Sequence, residues 1–332
     1  MSDDDDLWFL PGPPIDEAPT DPLWALAERE SLFDPRDWRK AEAAQGRGLA
    51  QAASAFARLD ARVTAGFVKR LALAEVSALL WAQGDWLPVE KITLYGLLRE
   101  SSLKDAQVLS TADWAQRRLL GPALPDDLAM FLGRHRTEYD GLETLGRHPV
   151  GDEFDGLAAD WQVVRAELSD LHPITQTAAM FTAWRKFGLS EPGATLEAGV
   201  AAMKLGAVEA RRLSFLPVAR GGAIGQGGDA SERLQRWYQA VENACLKAEM
   251  QLDALQAWQD RALDATAALS GRTPKRLIDT FIETPAFTAS MAAEICTCDR
   301  ATARRNLAAF ATRGLVREIT GQRRYQVWVA AV

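Results

Sequence analysis

The chain has 332 residues, 48% of them hydrophobic and 25% charged, with a net charge of −7. That length supports two domains with cores of their own, and the composition is that of an ordinary folded soluble protein. Three cysteines cannot build a disulfide framework, the acidic N-terminus lacks the basic-then-apolar pattern of a secretory signal, and no run approaches the length of a membrane span. The expectation is a cytoplasmic, nucleoid-associated protein that makes no use of a membrane.

Residues 1–22 read as a flexible arm. Asp3 to Asp6 form an acidic run, and Pro11, Pro13, Pro14, Pro19 and Pro22 forbid regular helix. From 23 to 219 a helical domain follows. Leu49, Ala53, Phe56, Leu59 and Val63 hold helical spacing, Gly66 interrupts, and Phe67 to Trp81 gives a second helix. Trp86 to Tyr95, with Val89, Ile92, Thr93 and Leu94, reads as short extended segments around Pro88, a small β element in the body. From Gly96 to Trp184 further helices are broken at Gly121-Pro122, Pro125, Gly133, Gly141, His148-Pro149 and His172-Pro173. Thr195 to Leu213 is another helix. The eleven tryptophans are scattered along the chain, which points to packing rather than to a binding cluster.

Residues 220–229, with five glycines between Arg220 and Gly228, have neither the preceding strand nor the Lys-Ser/Thr that a phosphate loop needs, and read as a hinge. Residues 230–270 contain no proline or glycine before Leu269 and predict a helix about 60 Å long. Leu234, Tyr238, Val241, Cys245, Ala248, Leu252, Leu255, Gln259, Ala262, Thr266 and Leu269 alternate spacings of four and three. That seam either joins two copies of the chain or packs back on the helical body.

In residues 272–332 the period first reads 3.6 and then 2. Leu277, Ile278, Phe281 and Ile282 set one helix, Thr288 to Ile295 a second, and Arg300 to Arg313 a third, buried through Ala303, Leu307 and Phe310. Asp299 is placed to cap the third helix and Gly314 to end it. Leu315–Ile319 and Tyr325–Val329 then alternate as two strands around Thr320-Gly321-Gln322-Arg323. This is the order of a winged helix-turn-helix, so the fold class is mainly α: a helical body with a small β element, a long helix, and the C-terminal winged module.

The module holds ten Lys/Arg against five Asp/Glu, a local charge of +5, and leaves −12 on the remaining 271 residues. A basic module on an acidic chain is the footprint of a nucleic-acid reader. Arg300, Thr302, Arg304 and Arg305 on the third helix are expected to meet base edges and phosphates, and Arg323 and Arg324 on the hairpin to hold the DNA backbone or enter the minor groove. The expected partners are double-stranded DNA and a second copy of the chain, as a homodimer. The alternative is a docking module for another protein.

No enzyme activity, cofactor or metal is expected. None of His135, His148 and His172 has metal-binding spacing, and Cys296-Thr297-Cys298 lacks further ligands. Leu171-His172-Pro173 resembles the opening of the Fic motif, which continues with an aromatic, an acid and Gly-Asn-Gly-Arg and transfers adenylyl groups. Here Ile174-Thr175-Gln176-Thr177-Ala178-Ala179 follows, without the acid, glycines, asparagine or arginine, so the resemblance implies an inactive copy. The order of parts is also similar to a bacterial family that joins a helical domain of unknown function to a C-terminal helix-turn-helix. Phe56-Ala57-Arg58-Leu59-Asp60-Ala61-Arg62, Ala78 to Glu90, and Arg317 to Trp328 carry that likeness. It implies the architecture and a DNA-binding role, and adds no activity.

Overall fold

The computed structural model describes residues 33–98, 105–134, 149–224, 227–322 and 325–332. Residues 1–34 and 35–332 are two units. The acidic arm of residues 1–22, and the breaks expected at Gly141 and His148, lie outside the described residues. The second unit is mainly helical. Its helices are α1 (Pro35–Ala44), α2 (Gly46–Arg62), α3 (Ala65–Ala82), α4 (Val89–Leu98), α5 (Ala106–Leu120), α6 (Leu128–Leu132), α7 (Gly151–Glu167), α8 (Pro173–Phe187), α9 (Leu196–Leu205), α10 (Ala230–Thr266) and α11 (Thr273–Glu283). The C-terminal part continues with β1 (Phe287–Thr288), α12 (Ala289–Cys296), α13 (Arg300–Thr312), β2 (Val316–Glu318) and β3 (Val327–Ala330). The three strands form one antiparallel sheet in the order β1-β3-β2.

The long helix α10 packs against α1, α2, α8 and α11. Its 37 residues span about 56 Å. A capping box starts it: Asp229 accepts from the Glu232 amide at 2.8 Å, and Glu232 accepts from the Asp229 amide. Of the two uses open to the seam, the structure has the internal one. Leu234, Tyr238, Val241, Cys245, Ala248, Leu252, Leu255, Ala262 and Thr266 are all buried within the chain, most extensively against α2. These nine positions are therefore not open to a second copy, and Leu269 at the end of the seam is half-buried. Gln259 leaves the buried line, and Trp258 takes its place one residue earlier as a fully buried side chain.

Helix α3 is apolar almost all round and sits inside the body, where eleven of its eighteen residues are buried. Gly66 does not interrupt it but lies in its first turn. A Cβ there would come within 2.5 Å of the Glu283 Cα and the Ile282 carbonyl, so the glycine lets α3 touch the end of α11. Residues 86–95 are not extended either. Val89–Leu98 is helical, with Pro88 ahead of it as the acceptor for the Lys91 and Ile92 amides. The β-branched residues that suggest a strand are used otherwise: Ile92 is buried, and the Thr93 hydroxyl donates to the Val89 carbonyl at 2.8 Å. Gly96 is inside this helix. The sheet belongs to the C-terminal part, not to the body. The helix expected over 195–213 stops at Leu205, where Gly206 lies against Leu216 and Thr177 with no room for a Cβ.

Only the start of the glycine-rich stretch that was expected to be a hinge is packed, while Gly222, Gly227 and Gly228 are exposed and residues 225–226 lie outside the described ones. Ala219–Gly221 is a turn of 3-10 helix lying on α10, and a Cβ on Gly221 would sit 1.9 Å from the Ala240 carbonyl oxygen. Lys247 and Arg233 then bind the carbonyls of Arg220 and Gly228 at 2.8 and 2.6 Å. Absence of a side chain lets two backbones touch here. The amides at the start of that turn are held by Glu75 of α3, whose Oε2 accepts from Val218 and Ala219 at 3.0 and 2.7 Å. Its Oε1 has no hydrogen-bond partner among the described residues.

Two stability predictions follow from this contact. Gly221→Ala is expected to cost about 3 kcal/mol in urea denaturation, since the obstacle is backbone. Gly222→Ala, which has open space but a φ of +94°, is expected to cost about 1 kcal/mol; equal costs would refute the close-approach reading. Burial pushes the Glu75 carboxyl from 4.5 up to about 7, against the opposing amide bonds. Between those pH values the unfolded chain releases this proton while the folded chain keeps it, so the contribution to stability falls as pH rises. The stability difference between the native chain and Glu75→Gln is expected to move against the native chain by up to about 3 kcal/mol across that window and then level off. A pH-independent difference would show an ionised carboxylate in the fold.

Candidate nucleic-acid interface

The C-terminal part is built on small apolar contacts. Helix α11 buries Leu277, Ile278 and Phe281, and Phe281 stacks on Phe287 of β1 with ring centroids 4.4 Å apart. Ala292 and Ala293 let α12 approach its neighbours closely. Thr288 caps α12, accepting from the Met291 amide, and Arg276 of α11 donates to the carbonyl of Cys296 at its other end, at 2.7 Å. The chain then turns through Thr297, a non-glycine residue in the left-handed region with φ +52°, and Cys298 returns its amide to the Ala293 carbonyl. Cys296 is the last residue of α12, and Cys298 follows the turn at Thr297. Cys296 is buried, and burial pushes its thiol up.

Helix α13 is capped as the sequence implies. The Asp299 carboxylate accepts from the Thr302 amide at 2.8 Å and from the Thr302 hydroxyl at 2.6 Å, and these bonds hold it below its ordinary range. Ala303, Leu307 and Phe310 are fully buried, and Gly314 follows the helix at φ +67°. Of the expected residues, Arg305 lies opposite this buried face by helical phase, Thr302 and Arg304 flank it, and Arg300 stands nearer its edge in the first turn. Arg300, Arg304 and Arg305 are exposed and Thr302 is half-buried. Two of the four are linked: Arg305 donates to the Thr302 hydroxyl at 3.0 Å, which in turn donates to Asp299. Arg300 and Arg304 make no hydrogen bond or ion pair with any described residue. Asn306 donates to the Thr302 carbonyl at 2.9 Å and lies half-buried beside this face.

The hairpin after α13 pairs Val316 with Ala330, Arg317 with Val329 and Glu318 with Trp328. Strand β1, which has only two residues and no legible period, pairs on the other edge of β3. The turn is organised by Glu318, whose carboxylate accepts from the amides of Thr320 and Gly321 at 2.7 and 2.9 Å and from the Thr320 hydroxyl. Burial would raise this carboxyl, but the hydrogen bonds outweigh it and hold it low. Arg323 and Arg324 lie outside the described residues. Tyr325, next to them, is 64% exposed and has φ +58°, an unusual backbone for an aromatic residue.

In the body, His172 is a helix cap. Its Nδ1 accepts from the Ile174 amide at 3.1 Å, at the start of α8, and Pro173 occupies the first helical turn. A cleft of about 540 Å³ beside it is lined by Phe56, Asp60, Arg211 and Arg212 among others. Asp60 is fully engaged there in accepting the amides of Arg211, Arg212 and Leu213 at 2.7–3.0 Å. Among the described residues, no group of three or more His, Cys, Asp and Glu side chains could hold a metal ion. Nor is any described helix long and apolar enough to cross a membrane. No protein-family model matches this chain, and none of the curated proteins is significantly similar to it.

Proposed function

We propose that residues 272–332 are a winged helix-turn-helix that reads double-stranded DNA, and that the chain is a sequence-specific DNA-binding regulator. The observation that carries this reading is the outer face of α13. It presents Arg300, Arg304 and Arg305 to solvent from a helix whose inner face is fully buried and whose first turn is capped. A third helix held that firmly, after two shorter ones and before a hairpin, is the part that enters the major groove in such modules. Arginine suits the task because its fork meets two acceptors of guanine at once. The local charge of +5 supplies the attraction to phosphate.

The homodimer is not carried forward on the long helix, since that seam is buried in the chain's own body. One protomer then covers one short site. Selection of genomic fragments with the purified chain, at about 50 and about 200 mM salt, is expected to return a single short sequence whose retention falls steeply at the higher salt. Recovery of no sequence at either salt would overturn the reading, and a palindrome would place a second protomer through another surface. Within the recovered site, Arg305→Ala is expected to cost about 1–3 kcal/mol and to relax preference at one base pair. Arg304→Ala is expected to weaken all sequences alike and to lower the salt slope by about one. Both are read by titrating the selected site and its single-base variants.

A further inference from the structure

A cavity of about 290 Å³ opens where α3, α4 and α10 meet Pro285 and the strands β2 and β3. Its walls include Phe67, Leu73, Leu255, Ile319 and Val329, and three charged side chains line it as well: Arg70, Glu90 and Arg317. Glu90 and Arg317 pair with each other at 2.9 Å, body to sheet. Arg70 is different. Its guanidinium is half-buried and donates to the carbonyls of Gly66, Phe281, Ile282 and Thr284, without using Nε. No described carboxylate lies within ion-pair distance of it, and Glu283 acts on it only through space.

A cation set against an apolar wall and met by carbonyl dipoles alone is a place where an anion is favourable, because buried charges are otherwise paired. Size narrows the class. An apolar cavity of about 150 Å³ takes up benzene, and small-molecule pockets begin near about 300 Å³. This one holds a ring or a short chain with one head group. We propose that the cavity binds a small carboxylic acid, its carboxylate drawn to the Arg70 charge, where only the Nε–H is left by the four carbonyls, and its aromatic or short aliphatic body against Phe67, Leu73, Leu255 and Val329. Some of these walls belong to the helical body and others to the C-terminal sheet, so the acid has its full set of contacts only when the two are in register. Binding therefore tightens that junction. The consequence for DNA affinity rests on the proposed function; the binding site does not.

The test is titration calorimetry of the full chain with benzoate, phenylacetate and hexanoate, each against its neutral amide. At least one acid is expected to bind saturably, with its amide weaker by about tenfold or more. Ala74 lines the cavity on α3 and is half-buried. Ala74→Phe is expected to place a ring in the space and lower the acid's affinity by about tenfold or more, with an unchanged circular dichroism spectrum. If that variant does not fold, Thr93→Met narrows the same cavity from α4. No saturable binding by any of the three acids, equal binding of acid and amide, or full binding by the folded variant would overturn the proposal. The bound acid is expected to shift retention of the selected DNA by about threefold or more. Acid binding in a chain that retains no DNA would sink the DNA reading and leave the binding site standing.

Discussion

One side chain ties the molecule together. Trp258 lies three-quarters of the way along α10, fully buried, with its indole N–H donating to the Leu315 carbonyl at 2.7 Å and its ring edge-on to Phe281. An indole is buried at no loss only when its N–H finds an acceptor. Leu315 is the first residue after the turn that ends α13, so that single bond refers the position of α13 directly to the long helix. Arg313 repeats the link, donating to the Ala265 carbonyl at 3.2 Å. Helix α10 thus belongs to two cores at once, the body through Leu234 to Leu252 and the C-terminal part through Trp258 to Thr266. A helix this long draws its stability from such packing rather than from propensity.

The second recurring device is a charged or amide side chain clamping distant backbone. Asp60 takes three amides, Glu75 takes two, and the Gln83 carbonyl takes those of Thr195 and Leu196. In the opposite sense, Lys204, almost fully buried, donates to the carbonyls of Leu119, Gly121 and Ser214. Arg70 gathers the carbonyls that α11 leaves open at its end. A body of many short helices has many such open groups, four at each helix end, and leaving them dry costs more than importing a charge to meet them. Truncating such a clamp therefore strands several backbone groups together.

These clamps explain which parts of the fold were legible. The helices of the C-terminal part, their cap at Asp299 and the buried trio Ala303, Leu307 and Phe310 follow from period and capping, which are local and written in consecutive residues. The seam of α10 was legible for the same reason, but not what it packs on. Residues 86–95 misled because β-branched residues prefer strands only when nothing else engages them, and here Ser77 and Trp81 of α3 hold the Leu87 carbonyl and set the chain up for α4. Gly221 looked like part of a hinge and Gly66 like a break between helices. Each is instead a point where backbone meets backbone across the fold, at Ala240 and at Glu283. Strand β1, two residues long, has no period to read; its partner Trp328 defines it.

The candidate interface residues on α13 were legible as exposed side chains but not in their contacts. Exposure of Arg305 on α13 follows from helical phase, whereas Arg300, which phase puts near the edge of the buried face, is exposed at the helix start. The different situations of the arginines do not follow from phase. Arg305 is already oriented by Thr302, which is itself held by Asp299, while Arg300 and Arg304 make no hydrogen bond or ion pair with any described residue. Under the proposed reading this difference divides the work. A side chain fixed before binding loses less conformational freedom on contact, so its geometry can discriminate between bases. One with no such contact loses more, gains mostly through long-range attraction, and is suited to phosphate, where any of several oxygens will serve. The Asp299 carboxylate sharpens the division. It lies within the first turn, where its negative charge repels a phosphate brought too close to the helix start, and its removal would release Thr302 and Arg305 together. The cap that starts the helix is thus also the residue that holds Arg305, through Thr302.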